Sequence, residues 1–289
     1  MPWYLILILI ILGIIYWIPK FMLSFLNDKD EWTHYFLPDT IRTPSSFFGS
    51  YRHGSRPILL TIDDVPCSRD SFKKILDILR CYHQNAVFFV ISSLVNDTNY
   101  DLLVRAVKEG HLLANHGVYD HYHCLRSSDK VDWEMYTCQE MIKRIYYDAG
   151  ILYPKVNLFR PGGGIMNKTI ISNCQKHKLT PLLGSVYPHD PHIRFPNINL
   201  WYIQQHLNGN DILILHDRSW TPELLIQIFE WFDTYGFHTL EISDLQSSFE
   251  ELEEYQPEKE QTWTTQQNQY QRQNPYPPYR NLYPSHEIY

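Results

Sequence analysis

Two adjacent carboxylates follow the first strand-like apolar run, in Thr61-Ile62-Asp63-Asp64. Burying such a pair among apolar groups is costly, so it belongs at a strand end, although Asp64 as a cap for a helix beginning near Ser68 is a purely structural alternative. A second group, Asn115-His116-Gly117-Val118-Tyr119-Asp120-His121, offers imidazoles and a carboxylate within one loop, with His123 just beyond. These donors suit zinc or another first-row metal, though a His-rich loop also makes an ordinary polar surface. In the third group, Phe159-Arg160-Pro161-Gly162-Gly163-Gly164, glycines allow close backbone approach to a ligand and the arginine carries a fixed charge; a plain tight turn is the alternative. The fourth, Ile212-Leu213-Ile214-Leu215-His216-Asp217, ends an apolar run in a histidine whose titration range suits general acid work.

The elements that must position these groups follow a β-then-α rhythm. Strand-like runs occur at Pro57–Ile62, Ala86–Ile91, Leu112–Ala114, Val156–Phe159, Leu179–Gly184, Asp211–Leu215 and His238–Glu241, separated by segments of helical period such as the amphipathic Ser68–His83. That alternation predicts an α/β fold with a parallel sheet, open or closed into a barrel. Chemistry in either arrangement sits at the carboxyl ends of the strands.

The four groups, in this order and each at a strand end, resemble the motif series of the NodB-type polysaccharide deacetylases, carbohydrate esterase family 4, over roughly Pro57 to Leu245. Thr61–Asp64 matches the T-[FI]-D-D element and Asn115 begins the N-H-[ST]-x-x-H element. Arg160–Gly163 matches R-P-x-G, and Leu213–His216 matches L-x-L-H. The resemblance implies an irregular seven-stranded (β/α) barrel and metal-dependent removal of N-acetyl groups from amino-sugar polysaccharides, chitin- or peptidoglycan-like. By the same resemblance Asp63 is the catalytic base, Arg160 holds it, and His216 is the acid. Asp64 and His116 are metal ligands for a divalent ion, zinc first and cobalt as the alternative. The segment Gly184-Ser185-Val186-Tyr187-Pro188-His189-Asp190 looks like one found in a subgroup of the family, in which Asp190 could orient His216. Two positions depart from the pattern. Asp120 stands where the second metal-binding histidine is usual, with His121 next to it as the alternative ligand, and Gly117 replaces a Ser or Thr.

The remaining sequence bounds where such a domain would work. With 289 residues, 44% hydrophobic and 20% charged, the chain has the make-up of a globular protein with one compact domain. A net charge of -7 without a basic run argues against a nucleic-acid partner. The five scattered cysteines form no close CxxC pair and read as small fillers or unremarkable thiols. Residues 1–23 read as an uncleaved single-pass membrane anchor flanked by aromatic residues, with its orientation left open. Residues 24–55 read as a stalk, 56–245 as the deacetylase domain, and 246–289 as a disordered Gln/Tyr/Pro-rich tail. Asn96-Asp97-Thr98 and Asn167-Lys168-Thr169 are glycosylation sequons if the domain faces a secretory lumen. The expected partners are an N-acetylated glycan and the membrane. The competing functions are a catalytically silent carbohydrate-binding protein of the same fold and a small-molecule amidase or esterase.

Overall fold

A computed structural model describes residues 56–245; the expected anchor, stalk and tail lie outside the described residues. Seven strands appear, one in each expected apolar run: β1 (Arg56–Val65), β2 (Val87–Val90), β3 (Leu112–Asn115), β4 (Leu158–Phe159), β5 (Thr180–Pro181), β6 (Ile212–His216) and β7 (Phe237–Thr239). Between them run α1 (Arg69–Cys81), α2 (Tyr100–Lys108), α3 (Ser128–Ala149), α4 (Lys168–His177), α5 (Pro196–His206) and α6 (Thr221–Tyr235). No helix among the described residues is long and apolar enough to cross a membrane.

The strands pair in parallel in the order β5-β4-β3-β2-β1-β6, and β7 pairs with the opening residues of β1. The expected barrel is a curled sheet whose two outer strands do not pair with each other. A lone parallel bridge between Val186, shortly after β5, and Leu213 of β6 links the two sides.

Strand periodicity explains the two sides of this sheet. Ile58, Leu60 and Ile62 of β1, Phe88 and Val90 of β2, and Leu213 and Leu215 of β6 join the helix-side core. Their neighbours of opposite parity, Leu59, Val87, Phe89, Leu112, Ala114, Leu158 and Ile212, form a separate interior cluster. Continuing that second parity to the strand ends reaches Asp63, His116, Arg160 and His216. One curled, apolar inner face therefore ends in four polar residues, and they are the residues of the four motif groups.

α1 shows how a helix is fixed to the outer face. Phe72, Ile75, Leu76 and Leu79 recur at helical spacing and are buried. Ser68, rather than Asp64, caps its N-terminus by accepting from the Ser71 N–H at 3.2 Å. Phe72 is fully buried and packs edge-on against Phe88 with ring centroids 5.1 Å apart. Phe72→Ala should therefore lower unfolding stability by about 3–5 kcal/mol in urea denaturation; a loss below about 1 kcal/mol would contradict this packing.

Candidate active site

β1 and β6 bring the first and fourth groups together directly, because Asp63 and His216 are register partners. Asp63 is only 4% exposed. Its Oδ1 accepts from Arg160 Nη1 at 2.6 Å. Arg160 is aimed from the end of β4 by a second bond from Nη1 to Thr61 Oγ1 (2.8 Å), a bond from Nε to the Leu182 carbonyl (3.0 Å), and stacking over the Phe89 ring. A charge-assisted bond of this length fixes the carboxylate's orientation and leaves its Oδ2 facing His116 Nε2 at 4.0 Å.

Asp64 is 6% exposed and adopts φ 60°, a left-handed conformation that costs energy for a residue other than glycine. Its two oxygens have different partners. Oδ1 faces His116 Nε2 at 3.5 Å, and Oδ2 accepts from Arg218 Nη2 at 2.6 Å. Burial works to raise its pKa, but His116, His216 and Arg218 outweigh that and hold it well below the usual carboxylate range. His116 Nδ1 donates to the Arg160 carbonyl at 2.7 Å, so Nε2 is the ring nitrogen turned to Asp64, and it carries the lone pair only once the ring has lost its second proton.

His216 is bracketed by Asp190, whose Oδ2 accepts from the His216 N–H at 2.7 Å and whose Oδ1 faces His216 Nδ1 at 3.0 Å. Asp190 is fully buried, and its backbone carbonyl accepts from Trp220 Nε1 at 3.1 Å. Burial alone would lower the basicity of His216, but the charge and hydrogen bond of Asp190, with Asp63 and Asp64 behind it, raise its pKa above the ordinary value. A histidine raised by folding contributes stability that is complete below its unfolded pKa near 6.5 and is lost as pH rises through its folded pKa.

The loop after β3 is where expectation and structure part. Asp120 is exposed and makes no ion pair or hydrogen bond among the described residues. His121 instead turns its Nε2 toward Glu134 Oε1 at 3.2 Å. The nearest donors of His121, His123 and Glu134 lie within 4.8 Å of one another, a grouping that could hold an ion. The Gly162 N–H donates to His123 Nδ1 at 2.8 Å, however, which leaves the proton of the neutral ring on Nε2, facing Glu134 Oε2 at 3.6 Å. In that state the trio clamps the loop to α3 and to the glycine turn. It also accounts for Gly117, which has φ 83° and whose Cβ would lie 2.4 Å from His123 Nε2.

The floor of the site fits a divalent metal at two positions. Asp64 Oδ1 and His116 Nε2 stand at a separation that suits two ligands each about 2 Å from one ion, and the other nitrogen of His116 is held by a carbonyl in the manner of ring ligands.

A family model described as polysaccharide deacetylase matches residues 50–182. That span is a polysaccharide deacetylase domain of the NodB type. Its deacetylase homologues are hydrolases of the N-deacetylase class. A curated relative, the peptidoglycan-N-acetylglucosamine deacetylase of Bacillus cereus, is 26% identical over 194 residues, covering 65% of this chain and 87% of the relative. Among solved structures, the peptidoglycan deacetylase PdaC of Bacillus subtilis superposes with a TM-score of 0.60 at 23% identity, covering 71% of this chain and 96% of that one. A family 4 acetyl xylan esterase of Clostridium thermocellum, in complex with cobalt, gives 0.57 at 24% identity over 66% and 91% of the two chains. A CE4-family pseudoenzyme of Bacillus anthracis gives 0.56 at 19% over 67% and 66%. These structural likenesses establish the curled α/β fold.

Asp63, Asp64, His116, Arg160, Asp190 and His216 thus stand together, and Asp120 and His121 do not join them. Two participants have no place in the four motif groups. Arg218 follows His216 by two residues, so a charge just past a strand end was its only sequence signal. Glu134 lies on α3 and carried none. Asn167 of the second sequon caps α4 and donates to the Cys124 carbonyl at 2.9 Å, and Asn96 of the first, though exposed, donates to the Leu94 carbonyl at 3.2 Å. Gly117→Ala, forced against His123 in a left-handed conformation, should destabilise the domain by about 1–3 kcal/mol; an unchanged melting temperature would show that His123 gives way freely.

Proposed function

We propose that this domain removes N-acetyl groups from an amino-sugar polymer of peptidoglycan or chitin type, releasing acetate and leaving a free amine. The carrying observation is the pairing of two opposite groups across the β1–β6 ladder: a carboxylate held by an arginine, Asp63 with Arg160 at 2.6 Å, and an imidazole held by a carboxylate, His216 with Asp190 at 3.0 Å. The activity named for the Bacillus cereus relative supports the substrate class.

Asp64 and His116 would hold a divalent ion, zinc or alternatively cobalt, with Asp120 as third donor and His121 as the alternative. The cobalt bound by the Clostridium thermocellum esterase is consistent with this. Such an ion supplies Lewis-acid polarisation and a water of lowered pKa. Asp63 takes the proton of the attacking water as the water oxygen bonds to the acetamide carbon. Arg160 keeps Asp63 aimed. His216, with Nδ1 engaged by Asp190, presents Nε2–H to the sugar nitrogen, which takes that proton as the carbon–nitrogen bond breaks. The base is needed deprotonated and the acid protonated at one pH, and Asp190 raises His216 in the required direction. Residues 1–23 would tether the domain to a membrane as a single-pass anchor, beside an envelope polymer.

A second reading has its own support. The exposure of Asp120 and the Arg218–Asp64 pair at 2.6 Å suit a glycan-binding protein that has lost catalysis. Acetate release by the full chain, loaded with zinc or cobalt, from N-acetylglucosamine oligomers and from peptidoglycan separates the two. Release should fall by about 10²–10⁴-fold in Asp63→Asn. Glycan binding without release from either polymer would replace the deacetylase with the silent protein.

A further inference from the structure

Asp63 and Asp64 are neighbours in sequence, yet each has an arginine of its own. The Asp63 partner, Arg160, belongs to a recognised motif, whereas Arg218 does not. Arg218 is nevertheless built into the site at three points. Its Nη2 donates to Asp64 Oδ2 at 2.6 Å, its Nη1 to the Asp217 carbonyl at 2.8 Å, and its backbone N–H to Thr221 Oγ1 at 3.2 Å. The residue that carries it is equally fixed. Asp217 is fully buried, accepts from the Cys67 N–H at 2.8 Å and Ser71 Oγ at 2.5 Å, and its own N–H donates to the Asp63 carbonyl at 2.9 Å. A guanidinium held this way loses little freedom on pairing, and its planar fork suits a carboxylate.

We propose that Arg218 is a resident counter-cation for Asp64, a positioning residue that compensates the carboxylate when no metal is bound and restrains metal affinity by holding one of its two oxygens. This rests on the reading that Asp64 and His116 hold a metal, and goes beyond it. With Oδ2 engaged, Asp64 offers only Oδ1 on the His116 side, so a divalent ion meets a one-oxygen ligand with a positive charge behind it. Two-oxygen ligation requires displacing Arg218. The same pair lets the buried Asp64 carboxylate persist without metal, since burial of an uncompensated charge is strongly unfavourable. The exposure of Asp120 adds to the effect, because the third donor is not already in place.

The test uses the full chain as wild type, Arg218→Gln, Arg218→Lys and Asp64→Asn. Zinc affinity is measured by competition with a chromophoric chelator, and melting temperature with and without saturating zinc. Arg218→Gln should bind zinc at least tenfold more tightly than wild type, and Arg218→Lys within a fewfold of it. Removing the counter-cation should lower the melting temperature of the metal-free protein, and saturating zinc should recover most of that loss, because a ligand bound more tightly by the native state stabilises it more. Equal or weaker zinc binding by Arg218→Gln, or a loss of melting temperature that zinc does not recover, overturns the proposal. If wild type binds zinc and Asp64→Asn does not, such a result sinks only the role of Arg218. If neither wild type nor Arg218→Gln binds zinc, the metal reading falls with it.

Discussion

Two negative charges at the end of a buried strand constrain everything around them. Asp63 and Asp64 are 4% and 6% exposed, at the rim of an interior built from Leu59, Val87, Phe89 and Ile212. Leaving either charge unpaired there would cost several kcal/mol. The surrounding strand ends supply the compensation: Arg160 from β4 and Arg218 after β6, with His116 after β3 facing Asp64. The left-handed backbone at Asp64 directs its side chain toward partners of its own, so the two carboxylates are solvated separately by the protein. A site that could hold a metal and run acid–base chemistry is a consequence of that compensation as much as a use of it.

The β6 side carries the opposite arrangement. There the buried charge is Asp190, and its compensation is His216 and the His216 backbone N–H. Asp190 raises the imidazole, while Arg160 fixes the orientation of the Asp63 carboxylate, so two groups on neighbouring strands have environments that separate their roles. A parallel sheet makes this economical. All of the strands end on the same side, and alternate residues share one face, so a single parity selects which side chains converge.

That regularity is why so much could be read beforehand. The seven apolar runs each contain a strand, although β4 and β5 shrink to two residues apiece, since hydrophobicity marks where strands lie better than how far their pairing extends. Asp63, His116, Arg160 and His216 were legible because each terminates an apolar run. Arg218 and Glu134 were not, because their contacts, to Asp64 across 154 positions and to His121 and His123 from a helix, are matters of tertiary packing. The His-rich loop was the least legible part. The family resemblance implied Asp120 or His121 as a third ligand, whereas the loop's course is set by Gly117, which yields its Cβ space to His123, and by Gly162, which donates to the same ring.

The central claim, that Asp190 tunes His216 as the acid opposite Asp63, is tested most directly by the pH dependence of kcat/KM for acetate release, in wild type and in Asp190→Asn. Because His216 must be protonated to act and Asp190 raises its pKa, wild type should lose activity on the alkaline side at a pH above the ordinary histidine range. Asp190→Asn should move that limb to lower pH and leave the acidic limb in place. An alkaline limb that does not move when Asp190 is neutralised would contradict the account.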